Sequence, residues 1–120
     1  MSVLIVENSP QLGLIWQRHI QRQGHHCHLA FSQAEALECF ERYNCAVMIL
    51  NLALREGSVM AVSDYVAFRA PETKVILVSG KGFFSDGSVF SVIANACAMV
   101  GARTPPNDMA ALVDYHTEIA

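Results

Sequence analysis

Cys45-Ala46-Val47-Met48-Ile49-Leu50-Asn51-Leu52-Ala53-Leu54 is the stretch whose reading decides the fold. An apolar run closed by a single polar side chain reads as a parallel strand buried on both faces, presenting one group at its carboxyl end. That group is Asn51. Two other segments repeat the pattern. Val3-Leu4-Ile5-Val6 leads into Glu7-Asn8, and Val75-Ile76-Leu77-Val78 leads into Ser79.

Working outward, five apolar strand-like segments alternate with helix-like ones, which predicts an α/β parallel sheet. The strands are expected at 2–7, 26–30, 45–50, 74–79 and 98–102. Ser9-Pro10 opens a first helix as N-cap and first helical residue, and Gly24 stops it after about Gln23. Ser32 and Glu35 form a capping box for a second helix to about Arg42. A third helix is expected near 57–69, ended by Pro71. A fourth falls near 86–96, and a last one runs from Pro106 to about Ile119. Repeats, linkers and low-complexity segments are absent.

The chain of 120 residues, read as one domain over 1–120, is long enough to bury about two-thirds of its unfolded surface. A hydrophobic content of 52% suits a sheet covered on both faces, with some apolar surface left for a partner. Net charge is −3 without a basic patch, which argues against nucleic acid as a partner. Its apolar runs fall short of the roughly 20 residues needed to span a bilayer, and the N-terminus enters a strand directly instead of a signal core. Cys27, Cys39, Cys45 and Cys97 stand in apolar contexts without CxxC spacing, so reduced, buried thiols and a cytoplasmic location are expected.

Taken together, the segments resemble the receiver domain of two-component response regulators. The resemblance covers nearly the whole chain: Gly24, Ala30 and Ala36-Leu37 around the second strand and helix, Gly57 after the acceptor loop, Cys97-Ala98 where the family has Gly-Ala, and Pro105 after its lysine position. It implies a flavodoxin-like, doubly wound, five-stranded parallel sheet in the order 2-1-3-4-5 with helices on both faces. It places Asn51 where the family's aspartate accepts a phosphoryl group. The acidic pair that helps bind Mg²⁺ reads Glu7-Asn8, the hydroxyl residue is Ser79, and the lysine reads Thr104, with Arg103 one place earlier. The switch position, an aromatic in the family, reads Gly101, which has no side chain to rotate.

A carboxamide cannot form an acyl phosphate, since its nitrogen lone pair is delocalised. The resemblance therefore implies a degenerate receiver: not an enzyme, with Mg²⁺ binding weak or lost, locked in one state. Two carboxamides in place of carboxylates also remove a like-charge cluster, so the fold is expected to be stable without metal. Its expected role is signal transduction through phosphorylation-independent protein interaction, with a histidine kinase, a phosphotransfer protein, another regulator or itself as partner. Two alternatives stand beside it: a small-ligand-sensing pseudo-receiver using the pocket around Glu7, Asn51, Ser79 and Thr104, and a residual phosphorelay receiver. With no output domain after the last helix, the chain reads as a single-domain adaptor or a piece of a longer protein.

Three further features bear on partners. Ser88 to Ala102 carries no charge, so the predicted helix over 86–96, with Phe90 and Ile93, is expected to form a homodimer or partner interface. Phe83 and Phe84, adjacent in a glycine-rich loop, cannot both face inward; one is expected to be exposed or to shield the vestigial site. That loop lacks GxxxxGK[ST] and is not read as a nucleotide cradle. His25-His26-Cys27-His28 suggests metal by composition, but alternation along a strand sends His26 and His28 to one face and His25 and Cys27 to the other, which reads as an exposed sheet edge.

Overall fold

The architecture, taken from a computed structural model, is described for residues 2–80 and 93–118. Five strands, β1 (Ser2–Val6), β2 (His26–Ala30), β3 (Cys45–Asn51), β4 (Lys74–Ser79) and β5 (Ala96–Gly101), form one parallel sheet in the order β2-β1-β3-β4-β5. Between them run α1 (Pro10–Gln21), α2 (Gln33–Arg42) and α3 (Val59–Arg69), and α4 (Pro106–Glu118) closes the described chain. The chain steps from β1 outward to β2 and then back across β1 to β3. The strand order therefore reverses at β1/β3, and a crevice opens at their carboxyl ends.

Side-chain alternation sorts each central strand into two cores. Leu4, Val6, Met48, Leu50 and Leu77 share one with Ala36 and Phe40 of α2 and Val62 and Val66 of α3. Val3, Ile5, Val47, Ile49, Ile76 and Val78 share the other with Trp16 and Ile20 of α1 and Met109 and Val113 of α4. Strands buried on both faces cannot carry polar side chains along their length without cost, which leaves polar residues to their ends.

The helix starts follow the expected capping. Ser9 Oγ accepts from Leu12 N at 3.3 Å, Ser32 Oγ from Glu35 N at 3.1 Å and Ser58 Oγ from Ala61 N at 3.1 Å. In the second cap Glu35 Oε1 reaches back to Phe31 N, one residue before the N-cap. α1 ends two residues before Gln23, and Gly24 follows with φ +93°. α3 begins at Val59 rather than 57, because Gly57 sits at φ +107° in the preceding loop. A Cβ there would lie 2.2 Å from Gln33 Cβ, so glycine is required twice over.

The region before β5 departs from expectation. A helix reaching residue 96 is not what forms: Ile93 to Asn95 turn, and the chain enters β5 at Ala96, two residues before the predicted 98. The backbone bonds explain it. Asn95 O accepts from Val75 N at 2.9 Å and Ile93 O from Ala96 N at 3.1 Å, so this segment is already committed to the sheet. Residues 86–92 of the predicted helix lie outside the described residues.

β2 is an edge strand, as the His-rich run suggests, and its side chains alternate as expected. Cys27 is buried on the α1/α4 side, and His25 Nε2 meets Asp114 Oδ1 of α4 at 2.8 Å. His28 stacks on Tyr43 with ring centroids 3.8 Å apart. Among the described residues, no three His, Cys, Asp or Glu side chains converge on a common metal position. Gln17 Nε2 donates to the Cys27 carbonyl at 2.7 Å, occupying a backbone acceptor of this edge. All four cysteines are free thiols, and burial pushes those of Cys27 and Cys45 up to about 12. No described helix is long and apolar enough to cross a membrane.

Candidate functional site

Because Val6 pairs with Leu50, the residues that follow, Glu7 and Asn51, emerge side by side from the two strands flanking the crevice. Both are buried, at 3% and 8% exposure. Asn51 Nδ2 donates to Glu7 Oε1 at 2.8 Å, and Asn51 Oδ1 accepts from Ala53 N at 2.8 Å. The second carboxylate oxygen, Glu7 Oε2, accepts from Ser9 N at 3.0 Å at the start of α1. A carboxylate with so little access to water is tolerable only if its oxygens find donors. Here a side-chain amide and a backbone N–H supply them. The pairing also fixes the amide's orientation, since only an oxygen can accept from Ala53 N and only the NH₂ can face a carboxylate.

Asn8 fastens the loop after β3. Its Nδ2 donates to Ala53 O at 2.6 Å and its Oδ1 accepts from Arg55 N at 2.9 Å. Glu7, Asn8 and Asn51 thus join the end of β1, the start of α1 and residues 53–55 in one network. They line an open cleft of about 430 Å³ together with Ser9, Gln11 and Arg55.

The other half of the predicted site is built differently. Ser79 ends β4 and is buried at 7% exposure, but its Oγ has no hydrogen-bond partner among the described residues. Its backbone carbonyl accepts from Ala102 N at 3.1 Å, which ties β4 to the end of β5. Thr104 does not join the network. Its Oγ1 donates to Gly101 O at 2.6 Å and its own N–H donates to the same carbonyl at 3.1 Å, a local turn that consumes the hydroxyl. Gly101 closes β5 and is exposed, and Arg103 beside it is exposed too.

Of the predicted site residues, then, Glu7, Asn8 and Asn51 are brought together, Ser79 stands at the next strand end, and Thr104 is held apart. Of the predicted interface residues, Phe83, Phe84 and Phe90 lie outside the described residues. Ile93 is corrected: at 3% exposure it belongs to the core cluster of Val75 and Leu77, not to a surface. The parts that sequence reasoning passed over are backbone groups of Ala53, Arg55 and Ser9. Their only signal is a polar residue at each strand end followed by a short loop.

A five-stranded parallel sheet in this order has close counterparts among solved structures. The signal receiver domain of a Luxo repressor protein from Vibrio parahaemolyticus superposes with a TM-score of 0.86 at 21% identity, over 98% of this chain and 90% of that one. The fold is that of a response-regulator receiver domain. The receiver domain of NtrX from Brucella abortus matches equally well, with a TM-score of 0.86 and 18% identity over 98% of this chain and 99% of that one. The beryllofluoride-activated NtrC4 receiver domain, solved in solution as a dimer, gives 0.86 at 18% identity, covering 98% and 97%. In a longer NtrX structure the same fold occupies 27% of the chain. No protein-family model and no curated protein matches the sequence. This receiver fold is therefore reached with little sequence in common, and its strand-end residues must be judged by their own chemistry.

Proposed function

We propose that this chain is a degenerate receiver that takes part in signal transduction by presenting a fixed surface to a protein partner, without accepting a phosphoryl group. The observation that carries the reading is the state of Asn51. Its nitrogen is bonded to Glu7 and its oxygen to Ala53 N, so both polar atoms of the acceptor position are engaged in holding the loop. A carboxamide offers no oxyanion to attack phosphorus, and this one is also not free to turn.

The same network argues against Mg²⁺ as a resident cofactor. Mg²⁺ holds near-octahedral oxygen coordination, keeping several waters and relying on one or two carboxylates of the protein. The strand ends offer one carboxylate, whose two oxygens already accept hydrogen bonds, and two amides, Asn8 spent on Ala53 and Arg55 and Asn51 on Glu7 and Ala53. Without metal and without an attacking carboxylate, no catalytic role is assigned. Candidate partners are a histidine kinase, a phosphotransfer protein, another regulator or a second copy, all cytoplasmic. The NtrC4 receiver forms a dimer, which supports self-association as one such mode. On the uncharged stretch 88–102, Phe90 remains the residue to test for contact, since Ile93 is core.

One observation favours a second reading, a small-ligand sensor. The Ser79 hydroxyl is buried without a partner among the described residues, and an uncharged hydrogen-bonding ligand entering over β3 and β4 would satisfy it. Incubation with acetyl phosphate and Mg²⁺ followed by intact-mass measurement tests the main proposal. An unchanged mass is expected, and an adduct of one phosphoryl group on the folded chain would refute it. A small, uncharged molecule that raises the melting temperature of the wild type but not of Ser79→Ala would favour the sensor.

A further inference from the structure

Each carboxamide of the strand-end network is one hydrolysis away from a carboxylate, and that reaction runs through the backbone. The amide nitrogen of the following residue attacks the asparagine Cγ, ammonia leaves with the proton that nitrogen gives up, and a five-membered imide closes. Water then opens the imide to aspartate or isoaspartate. The attack requires a following N–H free to lose its proton and a side chain free to bring its Cγ onto that nitrogen. At Asn51 neither condition is met. Leu52 N, the nucleophile, donates to Val78 O at 2.9 Å, continuing the β3–β4 pairing one residue past the strand. The side chain is held at both ends, on Glu7 Oε1 and Ala53 N, and is buried. At Asn8 the nucleophile is Ser9 N, which donates to Glu7 Oε2 at 3.0 Å, while the side chain is held across the loop on Ala53 O and Arg55 N.

We infer that Asn8 and Asn51 are gated modification sites: the network holds both as carboxamides, and each converts to a carboxylate only when the loops after β1 and β3 open. On the reading of the chain as a receiver that accepts no phosphoryl group, this gate is what keeps it so. Conversion at Asn51 places a carboxylate at the end of β3, and conversion at Asn8 places one beside Glu7. Glu7 is the shared latch, since one of its oxygens holds the Asn51 amide and the other holds the Ser9 nucleophile. The rate in the folded chain is then the rate in an open chain scaled by the fraction of time the loops are open. Asn8 is the more readable site. It is only partly buried, and the small Ser9 that follows crowds the attack less than Leu52 does at Asn51.

Peptide mapping by mass spectrometry tests the gate, after incubation in mildly alkaline buffer of the folded chain and of the same chain in guanidinium chloride. The measurement reads aspartate and isoaspartate at each site. Conversion at Asn8 is expected to be at least about tenfold slower in the folded chain. Glu7→Ala frees Ser9 N and the Asn51 amide together. Compared with its own denatured chain, this variant should lose most of the protection at Asn8. Glu7→Gln keeps the size of the side chain but only one acceptor oxygen, so it serves where Glu7→Ala does not fold, and it should lose part of the protection. Equal rates at Asn8 in the folded and denatured wild type would overturn the inference, as would full protection in a folded Glu7 variant. Because conversion is read without phosphate or Mg²⁺, the result is independent of whether Asn51 accepts a phosphoryl group.

Discussion

The two halves of the receiver fold's strand-end site differ in how their polar groups are treated. At β1 and β3, every polar atom of Asn51 and both oxygens of Glu7 are hydrogen-bonded, and Asn8 adds two bonds to the following loop. At β4 and β5, the Ser79 hydroxyl has no partner among the described residues, and Thr104 turns its own back on Gly101. The difference teaches what an amide at the end of β3 does to such a site. Where a carboxylate cluster would need a cation to offset its repulsion, an amide supplies both a donor and an acceptor and closes the gap itself. The half that carries the amide is held by hydrogen bonds on every side, whereas the Ser79 hydroxyl has no partner among the described residues.

Stability measurements on variants can break this contrast. The largest loss is expected for Glu7→Ala, which strands the Asn51 amide and Ser9 N–H in a buried setting, at about 2–4 kcal/mol by denaturant titration. Asn51→Asp comes next. It replaces the 2.8 Å hydrogen bond with two facing carboxylates, one of which is then driven to titrate above its ordinary range. A carboxyl whose folded pKa exceeds its unfolded one destabilises the fold at high pH and ceases to do so as pH falls below the unfolded value. The variant should thus be less stable by about 1–3 kcal/mol near neutrality and approach the wild type in acid. On the proposed reading the same variant alone should not become phosphorylated, since the Thr104 hydroxyl is held on Gly101 O and away from the strand ends. Asn8→Ala loses two bonds to a partly exposed loop, about 1 kcal/mol, with faster amide exchange at Arg55 as its signature. Ser79→Ala should be nearly neutral, within about 0.5 kcal/mol, because it removes a hydroxyl that bonds to none of the described residues. A loss above about 1.5 kcal/mol there would mean that both halves are structural and the contrast is false.

Most of the fold was legible because buried parallel strands are written as unbroken apolar runs. Val3 to Val6, Cys45 to Leu50 and Val75 to Val78 needed no tertiary information. β5 was harder. Ala96, Cys97 and Ala98 are small and serve a helix or a strand equally well, and only the backbone bonds of Asn95 and Ile93 to their neighbours decide the matter. The same lack of charge that suggested an exposed interface at Ile93 is what a core position shows. In the site, the side chains were legible and their partners were not. Asn8 reaches across 45 and 47 residues to Ala53 and Arg55, and Thr104 meets a carbonyl three residues away instead of the strand ends. Such choices depend on loop paths, which no residue type announces.

The central claim is that the β1/β3 half is closed to a phosphoryl group and to Mg²⁺. Amide NMR spectra recorded with and without Mg²⁺ plus beryllofluoride, a mimic of an acyl phosphate, test it most directly. Resonances of residues 7–8, 51–55 and 79 should stay where they are. Saturable shifts at those positions, propagating toward Gly101 and Thr104, would show that the amide site still takes a phosphate-like ligand and would contradict the account.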